Sequence, residues 1–105
     1  MADQSGAVVI FTEIDHTRAT VHLSGDLDFR AEPELLSVLA KLQAASHRTV
    51  SVELGELGFV GSTLPNFLVR VRHALAPGAQ VVVRHPSPIS RRILELTDLT
   101  RIASL

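Results

Sequence analysis

Two adjacent hydroxyls, Ser62 and Thr63, stand where a glycine-bearing stretch meets a helical apolar pattern. The stretch reads Leu54-Gly55-Glu56-Leu57-Gly58-Phe59-Val60-Gly61-Ser62-Thr63-Leu64-Pro65-Asn66. It is expected to form the turn between a strand and a helix. The first backbone N–H groups of a helix have no internal partner, and the helix dipole is positive there. Such a place accepts a phosphate, either as a ligand or attached to the hydroxyl. The same residue types are also common helix caps. Residue type and spacing leave both readings open for Ser62 and Thr63.

A second constellation is Gly25-Asp26-Leu27-Asp28, directly after an alternating strand. Carboxylates two apart can bind a metal or act as acid and base. They also build turns and first helical turns. No third acid lies close in sequence, which favours the turn. Other templates for chemistry are absent. Neither the Gly-x-Gly-x-x-Gly fingerprint nor a phosphate loop ending in Gly-Lys-Ser/Thr occurs. Gly61-Ser62-Thr63-Leu64 is not a nucleophile elbow. The five histidines (His16, His22, His47, His73, His85) are scattered without ligand spacing and are expected at the surface or at edges. No cofactor, metal or catalytic residue is expected.

These residues need elements to hold them, and the hydrophobic period supplies the elements. It switches between two and 3.6 several times along the chain. Val8 to Glu13 is expected as a first strand. Ala19, Val21 and Leu23 alternate with polar residues, as do Val50, Val52 and Leu54. Gln80 to Arg84 follows the breaker pair Pro77-Gly78 and is a further strand. Leu35, Val38, Leu39, Leu42 and Ala45 form one helical stripe, with Glu32, Pro33 and Glu34 suited to its first turn. Leu64, Phe67, Leu68, Val71 and Leu75 form the next. Ile89, Ile93 and Leu96 form a third, opened by Ser87 as cap and Pro88, and Ile102 is placed in a short last strand. The alternation within the strands predicts a sheet covered mainly on one face. The fold class expected is a two-layer α/β sandwich with a small, mixed, mostly parallel sheet and helices mainly on one side.

The chain has 105 residues, of which 46% are apolar and 20% charged. That is one domain spanning residues 1–105, with residues 1–6 expected to be disordered. Aromatics make up 4%, so the core must be aliphatic and there are too few rings for a nucleic-acid stacking platform. A net charge of −1 suggests no polyanion partner. With no cysteine, disulfides and thiolate chemistry are excluded. The first apolar run, Ala7 to Phe11, is too short for a signal sequence or a membrane span. A cytoplasmic protein is expected.

Several segments together resemble one family. Leu23-Ser24-Gly25-Asp26-Leu27-Asp28 is similar to the Gly-Glu-Leu-Asp segment of STAS domains, the fold of bacterial anti-sigma factor antagonists. Val50 to Leu54 followed by Leu57-Gly58-Phe59-Val60 resembles the family's third strand and the loop after it. Gly61-Ser62-Thr63-Leu64 falls on its Asp-Ser-Ser/Thr-Gly phosphorylation motif. Ser87 to Leu99 is similar to its last helix, opened by Ser-Pro. Two positions depart inside the motif. Gly61 removes a carboxylate beside the hydroxyl, and Leu64 brings bulk where the family keeps glycine. Many members also continue into a further C-terminal helix, so here that helix is expected to be absent or replaced by pairing with another molecule.

The resemblance implies a mechanism. An unphosphorylated antagonist binds an anti-sigma factor, a serine kinase of the histidine-kinase-like ATPase fold, and so frees a sigma factor. Phosphorylation breaks the complex. By position, Ser62 is the implied phosphoacceptor, with Thr63 the lesser candidate. The implied contact surface is Asp26, Asp28, Gly61, Ser62, Thr63, Asn66 and Arg70, with His73 beside them. The chain is then a binding protein and not an enzyme, without direct nucleic-acid or membrane contact. Two alternatives stand beside this one. The module could bind its partner without a phosphoswitch, or it could sense a nucleotide or other small molecule at the same helix start.

Overall fold

The computed structural model describes residues 6–60, 62–88, 90–92 and 103–104. The elements run β1 (Ala7–Asp15), β2 (Arg18–Leu27), a 3₁₀ turn (Phe29–Ala31), α1 (Glu32–Gln43), β3 (Thr49–Val60), α2 (Thr63–Ala74), β4 (Gln80–Arg84) and β5 (Ala103–Ser104). The five strands lie in sequence order across one sheet. β1 is antiparallel to β2, and every later pairing is parallel. This is the mixed, mostly parallel sheet that the alternating strands and intervening helices predict. Gly6 is tied to the domain, since its carbonyl accepts a hydrogen bond from the Asp26 amide at 3.2 Å.

One face of the sheet carries the core. Val21 and Leu23 of β2, Val50, Val52 and Leu54 of β3, and Val81 and Val83 of β4 are all buried. Against them pack Leu35, Val38, Leu39 and Leu42 of α1, and Leu64, Phe67, Leu68 and Val71 of α2. Each fully buried aliphatic side chain contributes about 1.5–3 kcal/mol of transfer free energy. The opposite face is mixed, polar along β2 to β4 and apolar at Val8 and Ile10 of the edge strand. There Glu53 takes Arg84 Nε at 3.0 Å and His85 Nδ1 at 2.9 Å. Val8, Ile10 and Ile14 of the edge strand β1 are exposed.

Three local expectations change. β2 runs on to Leu27, so Gly25 and Asp26 belong to the strand instead of following it. β3 likewise continues to Val60, through the stretch expected to be a turn. Gly55 and Gly58 read as breakers, yet the strand absorbs them as irregularities of pairing. His22 pairs with Glu53 but Ser24 with Glu56, and Gly25 pairs with Leu57 but Leu27 with Val60. Each step leaves one extra residue in β3, the signature of a bulge. Third, His47 is not a surface histidine. It is 2% exposed, and its Nε2 lies 3.0 Å from Glu13 Oε2 under the edge of the Phe11 ring.

The third helix begins as expected. Ser87 Oγ accepts the Ser90 amide at 3.1 Å, Pro88 is in its first turn, and the Arg91 amide bonds back to the Ser87 carbonyl at 2.8 Å. Ile89, Ile93, Leu96 and Ile102 lie outside the described residues. β5 occupies the two positions after Ile102.

The β1–β2 turn is held by Asp15. Its carboxylate accepts the Thr17 amide at 2.8 Å and the Thr17 hydroxyl at 2.7 Å, and it pairs with Arg18. These bonds, Thr17 first, hold the carboxyl well below its ordinary 3.8. A depressed carboxyl stabilises the fold above its unfolded pKa, and that stability is lost as pH falls through the folded value. Asp15→Asn is therefore expected to lower the melting temperature at pH 7. The gap to the parent should shrink as pH drops below about 4, which thermal melts across that range will check.

Candidate functional site

The candidate residues converge at one end of the sheet because β2 and β3 are parallel and end together. Leu27 is paired with Val60 as the last match between the two strands. Asp28 therefore follows one strand, and Ser62, at the start of α2, comes after its neighbour.

On the β2 side the backbone is tightly specified. Gly25 has φ +80, and a Cβ there would sit 2.0 Å from the Gly6 carbonyl oxygen, so no other residue fits without moving β1. Asp26 is exposed, and its Oδ1 lies 2.9 Å from where a Cβ on Gly58 would be. The bare backbone at Gly58 thus lets the carboxylate lie across β3. Asp28 has extended backbone, and its Oδ1 accepts the Arg30 amide at 2.9 Å, capping the 3₁₀ turn. The Arg30 guanidinium returns to the same carboxylate, with Nη2 2.8 Å from Oδ2 and Nε 3.2 Å from Oδ1. The Arg30 side chain, then its amide, holds the Asp28 carboxyl below the usual carboxylate range. Asp28 is a turn builder with both oxygens engaged.

On the β3 side, Ser62 occupies the N-cap position of α2 and is exposed. Its side chain makes no capping bond. Two features explain this. The residue has helical backbone, φ −67 and ψ −13, whereas a capping side chain needs an extended one. Pro65 also sits at the third helical position and has no N–H to offer. The cap reading of Ser62 thus holds for its place in the chain but not for its hydroxyl. The Ser62 carbonyl accepts the Asn66 amide at 3.2 Å, so the helix begins there. Thr63 is buried. Leu64 is 0% exposed and packs into the core. Gly61 lies outside the described residues.

Along α2 the exposed residues are Ser62, Asn66, Val69, Arg70 and His73, which fall on one side of the helix. Arg70 reaches α1, where its Nη1 lies 3.2 Å from Glu32 Oε1. The candidate surface is therefore continuous from the Ser62 turn across to α1. Spacing analysis does not single out Phe29, Arg30 or Glu32. An acid two residues before an arginine at a strand end was the available signal for Arg30. Glu32 had none, because its partner is 38 positions away. Among the described residues no three His, Asp or Glu side chains form a group that could hold a metal ion. No described helix is long and apolar enough to cross a membrane.

Comparison with known proteins agrees with this geometry. No curated protein matches the sequence. Solved structures match in fold. The anti-sigma factor antagonist SpoIIAA in its unphosphorylated form superposes with a TM-score of 0.82 at 17% identity, covering 91% of this chain and 85% of that one. An anti-sigma factor antagonist from Mycobacterium paratuberculosis gives 0.77 at 23% identity, over 99% of this chain and 88% of that one. The Bacillus cell fate determinant SpoIIAA in its phosphorylated form gives 0.71 at 19%, over 91% and 88%. The model of one family, described as "Mlab, STAS domain", matches residues 10–104. The chain therefore belongs to the STAS_2 family, and its two-layer sandwich is a STAS domain.

Proposed function

We propose that this chain is an anti-sigma factor antagonist that acts by binding a protein, not by catalysis, with Ser62 as its phosphoacceptor. The partner is an anti-sigma factor that is also a serine kinase, and the reaction belongs to that partner. The observation that carries the reading is the Ser62 hydroxyl, exposed at the start of α2 and without a capping bond. A kinase can reach such a hydroxyl without unfolding anything. Thr63 is buried, which makes it the poorer acceptor. Family membership and a fold shared with antagonists in both phosphorylation states support the same reading.

The electrostatics are consistent with a switch. α2 carries Arg70, Arg72 and His73 and no acid. The α2 side of this face, taken alone, suits acids of a partner. A phosphate on Ser62 adds roughly −1.5 to −2 charge at the head of that helix. Like charge then meets like across a desolvated boundary, which is strongly unfavourable. The contact surface comprises Asp26, Asp28, the 61–63 turn, Asn66 and Arg70.

Leu64 does not oppose this reading. It replaces the family's glycine, but its side chain points into the core and leaves the hydroxyl open. Restoring the glycine should therefore damage the protein. Leu64→Gly is expected to lose about 3 kcal/mol or more of stability, measured by urea unfolding. The functional reading is tested with purified anti-sigma factor kinases from the same genome. Phosphate transfer from ATP should label the parent and not Ser62→Ala. In titration calorimetry Ser62→Ala should bind like the parent, and Ser62→Asp about tenfold or more weakly. Equal binding of the two variants would reject the phosphoswitch.

A further inference from the structure

Phe29 is 75% exposed, more than any other large apolar side chain among the described residues. One exposed ring is ordinary. The way this one is held is not. The chain is fixed on both sides of it, by Leu27 and Ala31, each 0% exposed. Between them Asp28 caps the turn through the Arg30 amide, and the Ala31 amide bonds the Asp28 carbonyl at 3.0 Å. The Arg30 side chain is folded back onto the Asp28 carboxylate. The charged side chains of the turn are paired with each other, and the phenyl ring stands in solvent.

Its position matters equally. The turn leaves the sheet beside the Ser62 turn, because Leu27 is the register partner of Val60. It also leads directly into α1, whose Glu32 is bonded to Arg70 of α2. Beyond that bridge the two helices leave a shallow groove, floored by Leu39, Ala40 and Ala74 and flanked by Leu36, Arg70 and His73. The turn that carries the ring is thus joined to the start of α2 by strand register and to the groove by the Glu32–Arg70 bond.

We infer that Phe29 is the anchor of the partner interface, its ring entering an apolar socket on the anti-sigma factor whose acidic rim faces Arg70 and His73. This rests on the antagonist reading above. Interface energy concentrates in a few pre-positioned side chains, aromatic ones prominent among them. A ring needs only two torsions fixed, so it is a low-entropy anchor. Asp28 and Arg30 are then positioning residues for the ring.

Titration calorimetry of the full chain against the purified anti-sigma factors of the same genome tests this. Phe29→Ala should raise Kd about 30-fold or more, with its melting temperature unchanged because the ring is already in solvent. Asp28→Asn should weaken binding less than that, and should weaken it no further when Phe29 is already alanine. A simple loss of a separate contact would add instead. Arg70→Ala should reduce the dependence of Kd on salt. If the parent binds and Phe29→Ala binds equally well, the anchor is refuted and the antagonist reading survives. If no anti-sigma factor binds the parent, the antagonist reading falls and takes the anchor with it. A parent dimer in sedimentation velocity that Phe29→Ala dissociates would overturn the inference in favour of self-association.

Discussion

The parallel pairing of β2 with β3 is the constraint on which the site depends. Two strands in parallel finish at the same end of a sheet, so whatever follows each of them becomes a neighbour. Here one is followed by the Asp28 turn and the other by Ser62. The match is not a plain ladder. β3 carries two extra residues relative to β2 over its second half, absorbed at Gly55 and Gly58. Without them, Val60 would lie beyond its partner and the serine turn would be displaced from the acidic one. The buried sequence of β3 records the shift: Val50, Val52 and Leu54 are spaced by two, but the next buried residue, Leu57, comes three later.

Much of this was legible in the residues. Alternation in β2 and β3 announced a sheet covered on one side, and the stripes of α1 and α2 gave their buried faces. Ser62 and Thr63, ahead of the apolar stripe, marked the start of α2 within one residue. What failed did so for physical reasons. Gly55 and Gly58 look like turn residues because local propensity cannot register a partner strand that tolerates a bulge. His47 looked like a surface residue because burial depends on Glu13 and Phe11, more than 30 positions away. The Ser62 side chain looked like a cap because type and position fit. Its backbone angles and the missing N–H of Pro65 decide otherwise. Asp28 was legible as a turn builder, whereas Asp26 belongs to the strand and the ring between Asp28 and Arg30 was not legible at all.

The two departures from the family motif act on different levels. At Leu64 the glycine has been replaced by a core residue, so the change concerns packing. The first turn of α2 is anchored by Leu64, Pro65 and Phe67, all buried, and is correspondingly firm. Gly61 removes a charge from the turn itself. Together with an α2 that has no acid, this leaves the helix head without the negative side chains usually found in a first turn.

The strand order of the sheet equals the order of the chain. No strand has to slip between two that are already joined. During synthesis, each segment leaving the ribosome finds the preceding one as a finished template, and the hairpin β1–β2 supplies the first. Assembly can proceed from one margin to the other without rearrangement. Among the described residues the last addition, β5, makes two residue pairs with β4, against eight between β1 and β2 at the other margin.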